Sequence, residues 1–298
     1  MKLANRNIIV TGGSQGLGRA IVEACLREGA SVLLCARDEA AATEVAETLR
    51  ATFPDDTTQL VVAAGCDVSD EAQVENLFIL ADEAFGTRGG LHALINNAGV
   101  NGPKGAAEEV NLAEWRRCVE INLFGTLLPC RAAIRRFKAD GSNSPRKIVN
   151  LSGGGATAPM PNFSAYAAGK AGVVRLTETL AQELAPWQVE VNAVAPGAVN
   201  TRMLDEVLAA GPDKVGADYY ARALRQAEEG GVPPELGASL CVFLASAESD
   251  GITGRLIAAK WDPWQRFQEY REQLGPQSDI YTLRRITPED RGQSWPLG

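Results

Sequence analysis

Seven short apolar runs alternate with longer stretches of helical spacing, and this alternation limits the fold more than any other feature of the chain. The runs are Asn7–Val10, Val32–Cys35, Leu60–Ala64, His92–Ile95, Lys147–Leu151, Val189–Val194 and Leu256–Ala259, each followed within three residues by Gly, Asn or Asp. A run without polar alternation suits a strand buried on both faces, and the helices between successive strands supply the cover. The pattern predicts an α/β fold: a doubly wound, Rossmann-type parallel sheet of seven strands with helices on both faces. Nothing resembling a linker or a repeat interrupts it, so residues 1–259 read as one domain. The first helix starts directly after the first strand. Leu17, Ile21, Ala24 and Cys25 form its apolar stripe up to Glu28, and Gly29 can take the positive φ that ends it.

Composition removes several classes of function. The net charge is −8 and the pI about 5.0, a surface that phosphate backbones repel, so no nucleic-acid partner is expected. Six cysteines (Cys25, Cys35, Cys66, Cys118, Cys130, Cys241) are scattered without a CxxC pair, which suits small buried thiols in a reducing compartment. His92 is the single histidine, too few for a His-based metal centre or a Ser–His–Asp triad. No metal is expected. Met1–Val10 is too short and polar for a signal peptide, and no apolar run reaches the roughly 18 residues that span a bilayer. The expectation is a soluble cytoplasmic protein with no membrane contact.

Thr11-Gly12-Gly13-Ser14-Gln15-Gly16-Leu17-Gly18 fills the turn between the first strand and the first helix. Glycines let the main chain turn tightly and approach a pyrophosphate, whose charge is stabilised by free N–H groups and the helix dipole. The spacing is TGxxxGxG. Downstream stand Asn96-Asn97-Ala98-Gly99, Tyr166-Ala167-Ala168-Gly169-Lys170 and Pro196-Gly197-Ala198-Val199-Asn200-Thr201. With these motifs in register, the chain resembles the short-chain dehydrogenase/reductase superfamily, in its compact single-domain branch, from Asn5 to Gly254. The resemblance implies that Gly12, Ser14, Gln15, Gly16 and Leu17 surround a dinucleotide, and that Asp67 and Val68 contact its adenine. It also implies that Asn97, Ala98 and Gly99 brace the sheet beside the cofactor, that Val199 and Thr201 hold the nicotinamide carboxamide, and that Lys170 bonds the nicotinamide ribose.

Tyr166 and Lys170 are four residues apart, one helical turn, and so share a face. A nearby ammonium and a cationic nicotinamide ring favour the phenolate, moving a group that ordinarily titrates near 10 toward working pH. Leu112, Trp115, Val119, Asn122 and Thr126 fall at steps of helical spacing. An amide on a stripe otherwise facing the core must find partners. Asn122 is either a helix-packing residue or, as the resemblance implies, the tetrad member that links Lys170 to solvent through a water.

The pattern breaks at one place. The family's serine stands thirteen residues before the tyrosine, and here that position is Gly153 within Ser152-Gly153-Gly154-Gly155. Neighbouring strand residues point to opposite faces, so Ser152 needs a bulge in the glycine run to reach the site. Three readings stay open. Ser152 serves after such a shift, a donor such as Ser164 or a main-chain N–H replaces it, or the chain is a nucleotide-sensing or scaffold protein with weakened chemistry.

The second strand ends in Ala36-Arg37-Asp38. Ala36 stands where an NAD-selective enzyme places an acid for the ribose hydroxyls, and Arg37 suits a 2′-phosphate. NADP(H) is therefore favoured, with Asp38 keeping NAD(H) possible. Residues 201–231, with Met203, Leu204, Val207, Leu208, Tyr219 and Tyr220, lie where the family carries its substrate lid. Residues 260–298 depart from the pattern; they hold Trp261, Trp264, Phe267, Tyr270, Tyr281 and Trp295 and are expected to pack on the domain or a neighbouring subunit. The expected activity is NADP(H)-dependent interconversion of a secondary alcohol and a ketone or aldehyde. Tyr166, Lys170, Asn122 and Ser152 form the expected catalytic set, in a homodimer or homotetramer acting on a small molecule.

Overall fold

The computed structural model describes residues 1–53, 59–141 and 144–294. Seven strands, β1 (Asn7–Thr11), β2 (Ser31–Ala36), β3 (Val61–Gly65), β4 (Ala93–Asn96), β5 (Arg146–Leu151), β6 (Val189–Ala195) and β7 (Leu256–Ala258), form one sheet in the order β3-β2-β1-β4-β5-β6-β7. Every pairing is parallel. Each expected run is a strand, with no end displaced by more than one residue. The helices are α1 (Gly16–Arg27), α2 (Glu39–Thr52), α3 (Glu71–Phe85), α4 (Leu112–Val119), α5 (Gly125–Asp140), α6 (Ser164–Glu183), α7 (Arg202–Ala210), α8 (Pro212–Val215), α9 (Ala217–Glu229) and α10 (Pro234–Ala245).

The continuous apolar runs have the consequence their pattern requires. In β1, Ile8 and Val10 pack with α1, α2 and α10 on one face, while Ile9 packs with α3, α5 and α6 on the other. Gly29 takes φ +90° just beyond α1. The chain winds outward from β1 in one direction and from β4 in the other. Between them opens the crevice at the strands' carboxyl ends where such sheets bind ligands. Among the described residues no helix is long and apolar enough to cross a membrane.

β7 closes one edge of the sheet, and the chain beyond it covers that edge. The Leu256 N–H donates to the Tyr281 carbonyl at 2.8 Å and the Ala258 N–H to the Asp262 carboxylate at 2.6 Å, so neither is left as a template for another strand. Trp264, Phe267 and Leu274 are buried; the Trp264 ring lies 5.7 Å from that of Phe243, and its N–H donates to the Ala259 carbonyl at 3.0 Å. Arg255, fully buried beside β7, clamps this segment by donating to the carbonyls of Thr253, Gly275, Ser278 and Ile280. Trp261 is exposed, and Trp295 lies outside the described residues.

Arg255→Met leaves those four carbonyls without their donor while keeping most of the side-chain volume. It is expected to lower unfolding stability by about 3–5 kcal/mol in urea denaturation. A loss below about 1 kcal/mol would mean that the segment is held by its apolar contacts alone.

Candidate active site

The glycine turn is closed by bonds from β4. The Asn97 Nδ2 donates to the carbonyls of Thr11 at 3.1 Å and Gly12 at 3.0 Å, and the Thr11 hydroxyl accepts the N–H groups of Asn97 and Ala98 at 3.0 and 3.1 Å. This brings main chain against main chain. A Cβ on Gly12 would stand 2.9 Å from the Ala98 Cα, and one on Gly18 would overlap the Gly12 carbonyl. Gly12 and Gly16 have φ of +65° and +52°. Gln15 is extended and leaves the first turn of α1 without a side-chain cap or an acidic residue. Ser14 is half-buried, Gln15 exposed, and Leu17 packs against the main body. A cradle that any side chain would fill, opening onto uncapped helix N–H groups, fits a dinucleotide phosphate.

Asn122 is fully buried, and the helix widens to hold it. Residues Glu120–Phe124 form a π-turn between α4 and α5, so the uninterrupted stripe expected from spacing is not formed; Leu112, its first member, is 59% exposed. The added residue lets the Asn122 amide pair with both main-chain polar groups of Val100 in the β4–α4 loop. Its Oδ1 accepts the Val100 N–H at 3.0 Å and its Nδ2 donates to the Val100 carbonyl at 2.8 Å. A π-turn inside a helix recurs at functional positions. Gly99 and Gly169 leave the room, since Cβ atoms there would stand 2.8 Å from Asn122 Oδ1 and 3.1 Å from Asn122 Cβ.

Lys170 and Tyr166 lie one turn apart on α6, with Nζ 5.9 Å from the Tyr166 ring centre. Nζ donates to the Leu151 carbonyl at 2.8 Å. Burial pushes the Lys170 pKa down to about 8. Burial, and then the charges of Tyr219 and Cys118, push the Tyr166 hydroxyl well above its ordinary value. The protein's own residues thus favour the protonated phenol in the absence of a nicotinamide ring.

The tyrosine hydroxyl stands against the main chain of Gly153, where a Cβ would overlap it. Position 153 is therefore the one aimed at Tyr166. Ser152 is buried, and its Oγ makes no hydrogen bond among the described residues. Ser164 begins α6, and its Oγ accepts the Trp115 indole N–H at 3.0 Å.

Where the resemblance places the adenine, Arg37 is exposed just beyond β2, and the neighbouring Asp38 caps α2, accepting the Ala41 N–H at 3.1 Å. Asp67 accepts from the Ser69 N–H and hydroxyl at 3.0 and 2.6 Å and pairs with Arg117. These bonds outweigh its burial and hold the carboxyl below its ordinary value. Val68 packs against Gly125. Where the resemblance places the nicotinamide, Val199 closes a tight turn by donating its N–H to the Gly197 carbonyl at 3.1 Å, and the Thr201 methyl lies beside Gly16. Leu204, Val207, Leu208, Tyr219 and Tyr220 from α7 and α9 join Phe163 and Tyr166 in one apolar cluster.

Two contributors escaped the sequence reading. Asn101 donates to the Met203 carbonyl at 2.8 Å and the Glu206 carboxylate at 3.2 Å, tying the β4–α4 loop to α7. The Cys118 Sγ accepts from Asn122 Nδ2 at 3.2 Å. Its position four residues before Asn122 was the available signal.

A glycine-lined dinucleotide cradle beside a tyrosine, a lysine and a buried asparagine defines a nicotinamide-dependent oxidoreductase. The family model for short chain dehydrogenases matches residues 6–211, and the chain belongs to that family. It is 36% identical to a 3beta-hydroxysteroid dehydrogenase 1 of Eggerthella lenta, over 86% of this chain and 92% of that one. It is 34% identical to a cis-4-hydroxycyclohexanecarboxylate dehydrogenase of Sinomonas cyclohexanicum, over 86% and 95%. The crystal structure of a levodione reductase superposes with a TM-score of 0.76 at 29% identity, covering 88% of this chain and 98% of that one. The chain is thus an oxidoreductase of alcohols and carbonyl compounds whose family uses NAD(H) or NADP(H).

The depressed Lys170 has a consequence for folding. The unfolded chain keeps this proton up to its ordinary 10.5, whereas the folded chain releases it near 8. Between these values the unfolded state binds more protons, so stability rises with pH from about 8 to about 10, by about 2–3 kcal/mol. Urea midpoints across this range are expected to rise in the wild type, with that increment missing in Lys170→Met. Parallel curves would show that Lys170 is solvated.

Proposed function

We propose that the chain interconverts a secondary alcohol and a ketone or aldehyde with NADP(H), and that Tyr166 moves the proton. One observation carries this reading: Asn122, Lys170 and Tyr166 converge where Gly99, Gly169 and Gly153 clear the space for them. When bound, the nicotinamide ring supplies or takes the hydride. Gly12, Ser14, Gln15, Gly16 and Leu17 would hold the pyrophosphate, with Asp67 and Val68 at the adenine and Asn97, Ala98 and Gly99 behind the ring. Val199 and Thr201 would hold the carboxamide. Arg37 supports the phosphorylated cofactor, because Asp38, the acid that could favour a bare ribose, is engaged in capping α2.

In reduction the neutral Tyr166 hydroxyl gives its proton to the forming alkoxide, which suits a group whose pKa burial has raised. Lys170, poised near 8, then stabilises the phenolate and passes a proton back. Asn122 holds the main chain of Val100, next to Gly99 and Lys170, and keeps that route in place. The carbonyl needs a second donor. The N–H groups of Gly153 and Gly154 have no acceptor among the described residues, and Gly153 lies against the tyrosine hydroxyl. These main-chain groups fill the role more readily than Ser152, whose buried Oγ makes no bond to Tyr166. Two relatives are named for ring alcohols, and the apolar cluster of α7 and α9 around Tyr166 supports a cyclic, largely apolar substrate.

Tyr166→Phe, assayed with NADPH against a panel of cyclic ketones, is expected to lower kcat about 10³-fold while cofactor affinity stays within about twofold. Equal turnover in the variant would refute Tyr166 as the proton donor. A wild type that binds NADPH and turns over none of the panel would favour the sensor reading.

A further inference from the structure

At the amino ends of β1, β4 and β5, opposite the site of Tyr166, lies an open cavity of about 430 Å³ whose wall includes Arg6, His92, Asp140 and Arg146. Arg146 begins β5, and its side chain is only 6% exposed. Its Nη2 pairs with Asp140 and reaches the Gly89 carbonyl at 3.5 Å, whereas Nε and Nη1 are closed to bulk solvent and have no acceptor among the described residues. Buried N–H groups on a charged side chain seldom go unsatisfied, and where they do, an ion or water is commonly the missing partner.

The charges around the cavity favour an anion. Arg6 lines the same wall. Burial weakens its hold on its proton against the pull of Asp250, and the smaller repulsion from Arg146 adds to that weakening. Asp250 is already bonded to Lys147 at 2.7 Å. His92 accepts the Asn7 N–H on Nδ1 at 3.1 Å, and burial beside the two arginines pushes its pKa down to about 4, so it is neutral at pH 7. The two guanidinium groups share this wall with one carboxylate, Asp140, while Asp250, outside it, draws on Arg6.

We propose that this cavity is a second binding site, which takes a phosphate group between Arg6 and Arg146. A carboxylate is used up by a single guanidinium fork, whereas a tetrahedral phosphate has oxygens for two. Because Nε and Nη1 are closed to solvent as they stand, binding requires the Arg146 fork to turn about its Asp140 anchor toward those oxygens. β5 rises about 3.3 Å per residue, so its first residue stands about 17 Å from Leu151 beside Lys170. The ligand touches neither substrate nor nicotinamide.

Isothermal titration with inorganic phosphate, glycerol 3-phosphate, acetate and sodium chloride at matched ionic strength tests the proposal. The titrations use wild type, Arg6→Gln and Arg146→Gln, each with and without saturating NADP⁺ to fill the glycine turn. One phosphate per chain is expected to bind whether or not NADP⁺ is present, with at least a tenfold loss of affinity in both variants. Arg6→Gln removes a half-exposed side chain and keeps the measurement interpretable should Arg146→Gln fail to fold. Tighter binding of glycerol 3-phosphate than of phosphate assigns the site to a phosphorylated metabolite, and the reverse order assigns it to the free anion. Phosphate heats no larger than those of chloride, tighter binding of acetate, competition by NADP⁺, or unchanged binding in Arg6→Gln would each overturn it.

Discussion

At the carboxyl edge of the sheet the main chain passes closer to itself than a side chain allows, and the Asn97 amide holds it there. One NH₂ group donates to two successive carbonyls of the glycine turn, while the Thr11 hydroxyl takes two successive N–H groups in return. With β1 and β4 tied in this way, Gly18 fits under Gly12, and Gly99 leaves space for the Asn122 side chain. Asn122 in turn fixes the main chain of Val100, and Gly169 lets α6 come close enough to set Lys170 beside Gly99. The reactive groups are side chains, but their positions follow from glycines.

This arrangement works against stability locally. Among the described residues, Lys170 is buried with one carbonyl for a partner, Ser152 keeps a hydroxyl without one, and Tyr166 is pressed against a main chain. Such groups persist only where the rest of the fold over-determines them. Two apolar layers, one on each face of the sheet, provide most of that support. The segment beyond β7 adds to it: Leu283 packs with Ala156 and Val174 behind the glycine run, so this segment reaches the loop that carries Gly153.

The sheet was legible because strands buried on both faces leave a signature that few other structures share, and because crossover helices separate them. The one-turn spacing of Tyr166 and Lys170 likewise translates directly into geometry. The π-turn was not legible. Periodicity assumes a constant 3.6 residues per turn, and the extra residue at Glu120–Phe124 accompanies a partner distant in sequence, the main chain of Val100. The upward pull on the Tyr166 hydroxyl carries no sequence signal either, because burial is a sum over elements far apart in the chain. The course of residues 260–294 depends on Arg255, whose four carbonyl partners carry no sequence signal at all.

The departure at Gly153 is where the account is most exposed. A glycine there is either a lost serine or the space in which Tyr166 stands, and the position of the hydroxyl supports the second. Steady-state kinetics of Gly153→Ser, with NADPH and a cyclic ketone the wild type reduces, separates the two. The account predicts that the added side chain displaces the tyrosine hydroxyl and lowers kcat by at least about tenfold, equivalent to about 1.4 kcal/mol, with cofactor affinity retained. A rise in kcat would contradict it, because the serine would then be restoring a donor that the site lacks.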